Sequence, residues 1–278
     1  LVFVLIAIRQ VGRFSFSIWQ VMLAGAVLTL ITGQISPYDA ILAINRGVML
    51  FLFGMFIVGE GVKNSGLLED CITWICRHAS SGTMLLVLII GTMGLLSAVL
   101  MNDTIAIIGA PLILILAGRL GVSKPGAMIA LCFSVTTGSV FSPIGNPQNY
   151  LIASYVPDLS PYLLFFSGLF IPTLLSLGVI FLFLRPLFRE VSNPAEGCRF
   201  GEISPDTKPW PVYLSFLCIF TGIGLQIISG LFQMGWAVPI EWIAITAAIP
   251  VLVFSKERIR LLRNIDWHTL IFFAAMFV

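Results

Sequence analysis

Ser142-Pro143-Ile144-Gly145-Asn146-Pro147-Gln148-Asn149 interrupts an apolar segment that begins at Ala127, and Asn102-Asp103-Thr104 interrupts another that begins at Thr83. The longer island holds Pro143, Gly145 and Pro147, which break a helix and leave main-chain carbonyls and amides without helical partners. The shorter island holds Asp103, and a carboxylate near the middle of a bilayer costs about 2.5 to 3.5 kcal/mol on insertion scales. Irregular main chain at membrane depth is tolerated only where it is buried in protein or lines a water-filled cavity. The two islands therefore read as parts of one internal site.

The composition around them sets the solvent. Of 278 residues, 58% are hydrophobic and 10% charged, with a net charge of +2. Such a chain lies outside the range of soluble domains. It is expected to be an all-α, multi-pass integral membrane protein of the cell (plasma or inner) membrane, and the small net charge gives no reason to expect a nucleic-acid partner. Cys71, Cys76, Cys132, Cys198 and Cys218 form no CxxC pair and no zinc-like spacing with the two histidines, so no metal site is expected beyond one for Na⁺, and no cofactor. An enzyme would need a nucleophile and base at depth, where only Asp103 is found.

Apolar segments fall at residues 1–8, 16–35, 41–58, 83–100, 105–117, 127–140, 150–156, 163–184, 212–231, 236–254 and from 270 onward. The first is too short to span and the last stops at Val278, so both ends read as cut. Basic residues orient the connections. Arg9 and Arg13, Lys63 and Arg77, Arg119 and Lys124, the cluster from Arg185 to Lys208, and the cluster from Lys256 to Arg263 go inside, while 33–39, 157–161 and 231–241 carry no Lys or Arg and go outside. Arg46 fits this scheme poorly.

Basic clusters flank residues 83–118 on both sides, so that stretch enters and leaves from the inside. A re-entrant helical hairpin with Asn102-Asp103-Thr104 at its tip does this. The alternative is a pair of ordinary spans joined outside. The second arm, 105–117, counts 13 residues with Pro111 inside it, against about 20 needed to cross, and this favours the hairpin. Residues 127–156 must then cross from inside to outside, although Gly138, Pro143, Gly145 and Pro147 interrupt them. A discontinuous helix meets both demands, with a plain outer loop as the alternative.

An internal repeat supports the same reading. Residues 44–57 align with 265–278 at an offset of 221, with identities at Ile44/Ile265, Phe51/Phe272, Met55/Met276 and Phe56/Phe277. The first copy runs outside to inside and the second inside to outside. Inverted repeats with broken helices and a midplane site describe a secondary transporter working by alternating access. The expected organisation is a first transmembrane repeat over 1–190, a cytoplasmic linker over 191–209, and the start of a second, inverted and truncated repeat over 210–278. Glu60 and Lys63 read as a solvated helix end just past 58, and Glu241 and Trp242 as outer interfacial anchors.

At the islands the chain resembles the ion transporter superfamily of arsenite permeases, sodium/proton antiporters of the same fold, and divalent anion and citrate transporters. In the carboxylate branch the tip reads Ser-Asn-Thr with a proline eight residues after the Thr. Here Met101-Asn102-Asp103 is followed by Pro111 at that spacing; Asn102 matches, while Met101 and Asp103 depart toward the Asn-Asp tip of the arsenite permease and antiporter branches. The Gly-Thr-Pro-Pro-Asn motif of that branch stands here as Gly145-Asn146-Pro147-Gln148-Asn149, closer to the arsenite permease form. The resemblance implies a coupling-ion site for Na⁺ or H⁺ formed by Asn102, Asp103, Gly138, Ser139 and Gly145. It implies substrate contacts from Thr104, Thr137, Ser142, Asn146 and Asn149, with Pro143 and Pro147 breaking the helix. The implied cargo is a small inorganic or organic anion, by symport or antiport; arsenite efflux or Na⁺/H⁺ exchange is the alternative, since neither island holds an Arg or Lys. The expected partners are that substrate, the lipid bilayer and, as an open option, a second copy in a homodimer.

Overall fold

The structure is a computed structural model, and it describes residues 10–11, 14–155, 160–188, 209–234, 236, 238–255 and 258–278. The opening apolar run, all of the expected linker except Pro209, and Arg9, Arg13, Arg189, Arg199, Lys208 and Lys256 lie outside the described residues.

Thirteen α-helices account for most of the described chain. They are α1 (Ile18–Ile31), α2 (Pro37–Ala43), α3 (Arg46–Ser65), α4 (Leu67–His78), α5 (Gly82–Leu100), α6 (Asn102–Leu120), α7 (Lys124–Gly138), α8 (Pro147–Ser154), α9 (Pro161–Leu184), α10 (Trp210–Leu231), α11 (Ile240–Phe254), α12 (Arg258–Asn264) and α13 (Trp267–Met276). One departure from an all-α chain is a minimal antiparallel ladder in which Gln10–Val11 pairs with Phe14–Ser15. By length and composition α3, α5, α6, α9 with its 3₁₀ extension, and α10 can each cross a membrane, while α1, α11 and α13 are shorter apolar helices. The protein is an integral, multi-pass membrane protein. Helix α9 turns most of its surface outward, including Leu175, Leu182 and Phe183, as a helix facing lipid does.

Two sequence-based expectations change. The second arm of the hairpin is not short: α6 runs for 19 residues, as long as α5. Asn102, Asp103 and Thr104 form its first helical turn rather than a loop, and Pro111 is accommodated inside the helix. Length therefore gives no argument for a hairpin over two spans. Glu60 is likewise not a solvated end. Helix α3 continues to Ser65 and stops at Gly66, which takes the left-handed conformation (φ +77°) that glycine adopts without cost. Glu60 lies six residues before that stop and is only 8% exposed. It is held by Lys63 (3.1 Å) and by an amide hydrogen bond from Asn264 (3.3 Å).

The repeat is far clearer in the backbone than in the identities. A shift of 221 carries α2 onto α12, both seven residues long, end for end, and carries the start of α3 onto the start of α13. The same shift brings the start of α1 within one residue of the start of α11. The capping chemistry repeats too: Asn45 Oδ1 accepts from the Val48 amide (3.1 Å) and Asp266 Oδ1 from the Thr269 amide (3.0 Å). Packing is exchanged between copies, with α1 against α13 and α3 against α11, as a two-fold relation requires. The copies are also inverted. Helix α11 keeps pace with α3, Glu241 lying at Gly47, Ala244 at Gly54 and Val251 at Gly61. Helix α1 instead starts beside the start of α13, where the Trp19 and His268 rings lie 5.0 Å apart, in the second half of α3 near Glu60. The counterparts α1 and α11 thus begin at opposite ends of α3.

Candidate transport site

A single residue, Met101, joins α5 to α6. It is fully buried, with φ +69° and ψ 137°. A methionine held there costs of order 1–3 kcal/mol, which the surrounding contacts must offset. Two of them are main-chain hydrogen bonds: the Asn102 amide donates to the Gly145 carbonyl (2.9 Å) and the Ile105 amide to the Met101 carbonyl (3.3 Å). The first ties the hairpin tip to the break in the next helix, so the two sequence islands meet. Thr104 is buried against Gly59 of α3, where an added Cβ would stand 2.7 Å from Thr104 Cγ2. Asn102 Oδ1 accepts from the Asp103 amide (2.9 Å). The Asp103 side chain lines two cavities.

The break itself runs from Ser139 to Asn146. Helix α7 ends at Gly138, which crosses α5 at Gly94 so closely that an added Cβ would stand 2.5 Å from the Gly94 carbonyl oxygen. Carbonyls freed at such an end need partners. Asn149 supplies them: its Nδ2 donates to the carbonyls of Ser139 (3.1 Å), Val140 (3.1 Å) and Ser142 (2.9 Å). Its own amide donates to Asn146 Oδ1 (2.7 Å), which caps α8, and Asn146 Nδ2 reaches Ser139 Oγ (3.4 Å). Gly145 packs on Ser139, an added Cβ lying 2.9 Å from its Cα, and the Gly145 amide donates to the Ser142 carbonyl (3.1 Å). Pro143 and Ser142 are buried in the loop, Pro147 opens α8, and Thr137 is half-buried one residue before the end of α7.

The depth of the tip follows from α3. Thr104 meets Gly59, whereas Tyr150 on α8 meets Gly47, stacks on Phe51 with ring centroids 4.4 Å apart, and donates to Glu241 Oε2 (2.9 Å). Twelve helical residues separate Gly47 from Gly59, about 18 Å. The hairpin therefore stops well short of the end of α3 to which α8 continues. Glu241, read as an outer interfacial anchor, is also the acceptor that ties α8 to α11.

Two cavities share Asp103 and Asp266 in their walls. The larger, about 570 Å³, also meets Trp19, Gln148, His268 and Thr269. The smaller, about 110 Å³, meets Gly59, Glu60, Lys63, Thr104 and Asn264. The larger falls within the 300–1,000 Å³ of ordinary small-molecule sites. Gln148, Asp266, His268 and Thr269 join the cavity wall without a role assigned to them by the sequence. Gln148 stood inside the island but outside the roles assigned there, and Asp266 stood opposite Asn45 in the repeat alignment. Among the residues proposed from sequence, Asp103 and Thr104 reach these cavities, while Gly138, Ser139, Gly145, Asn146 and Asn149 build the break behind the tip.

Residues 3–278 match the citrate transporter family. The chain belongs to that family. It is not an enzyme but a member of a transporter family. It is 26% identical over 240 residues to an uncharacterized transporter of Mycobacterium tuberculosis (strain CDC 1551 / Oshkosh), which covers 84% of this chain and 55% of the relative. It is 30% identical over 185 residues to a silicon efflux transporter of Oryza sativa subsp. japonica, covering 66% of this chain and 36% of that one. A putative transporter arsB of Dictyostelium discoideum is 26% identical over 147 residues, 52% of this chain and 25% of its own length. The chain spans roughly half the length of the first of these relatives.

Proposed function

We propose that this chain forms the first half of a secondary active transporter, with a re-entrant hairpin α5–α6 and a discontinuous helix α7–α8 meeting at a midplane site, and that it moves a small inorganic or organic anion coupled to Na⁺ or H⁺ by alternating access. The observation that carries the reading is the Asn102 to Gly145 hydrogen bond, which places the hairpin tip at the helix break. Broken helices of this kind turn their half-helix ends toward substrate and coupling ion. Asp103 faces the cavities with a carboxylate suited to Na⁺ or a proton. Residues 1–190 are taken as the first repeat, 191–209 as the cytoplasmic linker and 210–278 as the start of the second, inverted repeat, and a homodimer in the cell membrane is the assembly to be tested.

A second reading has its own support. Among the described residues lining the larger cavity there is no Lys or Arg, and two carboxylates are present. A free polyanion would be repelled there, whereas an uncharged hydroxide such as arsenous acid would be accepted by hydrogen bonds. Na⁺/H⁺ exchange would use the same carboxylates. Solid-supported-membrane currents from the full-length protein, recorded with anions, arsenite and Na⁺ under imposed pH and Na⁺ gradients, separate these cargoes. Asp103→Asn is expected to abolish gradient-coupled flux while leaving membrane insertion intact. Unchanged coupled currents in that variant would remove Asp103 from the mechanism.

A further inference from the structure

The repeat relation places α2 and α12 at matching positions, yet their charge differs in sign. Helix α2 reads Pro-Tyr-Asp-Ala-Ile-Leu-Ala and holds no basic residue, whereas α12 reads Arg-Ile-Arg-Leu-Leu-Arg-Asn and holds three arginines. The fold at that position therefore does not require arginine. A cavity of about 870 Å³ lies between the end of α11 and α12, lined by Ser255, Arg258, Arg260 and Arg263 and by the apolar Val253, Phe254 and Ile259. Ile259 is 85% exposed between two of the arginines, and the neighbouring Trp210 and Phe254 rings lie 4.4 Å apart, with Trp210 half-exposed. An isoleucine in that setting is unfavourable in water and favourable at the level of acyl chains. Tryptophan beside it marks the same level. Arg258 donates to the carbonyls of Val253 (2.6 Å) and Ser255 (3.4 Å), which fixes the guanidinium over the end of α11.

We propose that this cavity is a binding site for one anionic phospholipid of the inner leaflet, with the phosphate held by Arg258, Arg260 and Arg263 and the first carbons of the acyl chains against Phe254 and Ile259. Arginine suits phosphate because its planar fork gives paired, charge-assisted hydrogen bonds. The apolar floor distinguishes a lipid from a free phosphate, which would leave Ile259 and Phe254 in water. The site is independent of cargo and coupling ion, since none of its residues lines the Asp103 cavities.

The test is lipid retention by the full-length protein released from vesicles of phosphatidylcholine containing phosphatidylglycerol, read by native mass spectrometry. The expected result is one retained phosphatidylglycerol per chain, lost about fivefold for each arginine replaced in Arg260→Gln and Arg263→Gln. Arg260→Lys and Arg263→Lys keep the charge and are expected to retain more of the lipid than the Gln variants, which guards against a folding defect. Arg77→Gln, an equal charge change elsewhere, is expected to leave retention unchanged. Equal retention of phosphatidylcholine, equal loss in Arg77→Gln, or displacement by millimolar inorganic phosphate would each overturn the proposal, the last in favour of a soluble anion.

Discussion

Replacing Gly138 with alanine tests the arrangement of hairpin and broken helix most directly. An added Cβ would stand 2.5 Å from the Gly94 oxygen and 2.6 Å from its carbonyl carbon. Those are backbone atoms of α5 and no rotamer change moves them, so α5 and α7 must part by roughly 1 Å to restore ordinary contact. Overpacking usually costs about 1–3 kcal/mol, and a clash of backbone on backbone belongs at the upper end, about 3 kcal/mol. Parting of the crossing also carries the end of α7 away from the tip. The Asn102 to Gly145 bond, 2.9 Å now, would then pass the limit of a useful hydrogen bond. The partner glycine supplies the control. A Cβ at Gly94 would meet the Ser134 oxygen at 3.3 Å and Gly138 Cα at 3.6 Å, which small adjustments absorb. Reversible unfolding in mixed micelles should show Gly138→Ala losing about 3 kcal/mol and Gly94→Ala less than about 1, with transport in proteoliposomes following the same order. Equal costs for the two, or a Gly138→Ala protein as stable and active as the parent, would refute the crossing as drawn.

Asn149→Ala should remove the side-chain donor from three carbonyls of the break, leaving that of Val140 without it while those of Ser139 and Ser142 keep the amides of Ser142 and Gly145, and cost about 1–3 kcal/mol in the same unfolding assay, with Asn149→Asp worse because it sets carboxylate oxygens against them. Tyr150→Phe should lose about 1.5–3 kcal/mol by removing the donor to Glu241, and a double-mutant cycle with Glu241→Gln should show strong coupling rather than additive losses. Asp266→Ala should cost about 0.5–2 kcal/mol through the lost cap on α13, while Asp266→Asn keeps the cap and should be nearly neutral in stability. Equal destabilisation by both Asp266 variants would show that capping is not the structural role of that residue.

Much of this was legible in sequence, for reasons that differ from residue to residue. The islands stood out because polar main chain in an apolar segment has few places to go, and the structure brings them together through Asn102 and Gly145. Hydropathy makes α6 look short because its first turn, Asn102-Asp103-Thr104, is polar and its end, Gly118-Arg119, resembles a loop, although both are helical. Glu60 reads as a solvated end because it stands just past the apolar run that closes at 58, yet the glycines on either side of it let Thr104 and Val251 pack close to α3 there. The direction of the Asn149 amide, committed to three carbonyls, is set by tertiary geometry and has no signature in composition.

The repeat gives the last step. Asn45 and Asp266 occupy the same place in the two copies and cap their helices through the same oxygen, at 3.1 and 3.0 Å. Capping needs an acceptor but no charge, and Asn serves as well as Asp. The carboxylate at 266 is therefore not explained by the fold of its own repeat. What differs between the two positions is the surroundings: Asp266 stands in the walls of both cavities together with Asp103, whereas Asn45 lines neither of them. The departure from symmetry thus falls at the cavities on which the proposed transport role rests. Asp266→Asn, which leaves the cap in place, separates the two roles: stability is expected to hold while coupled flux changes.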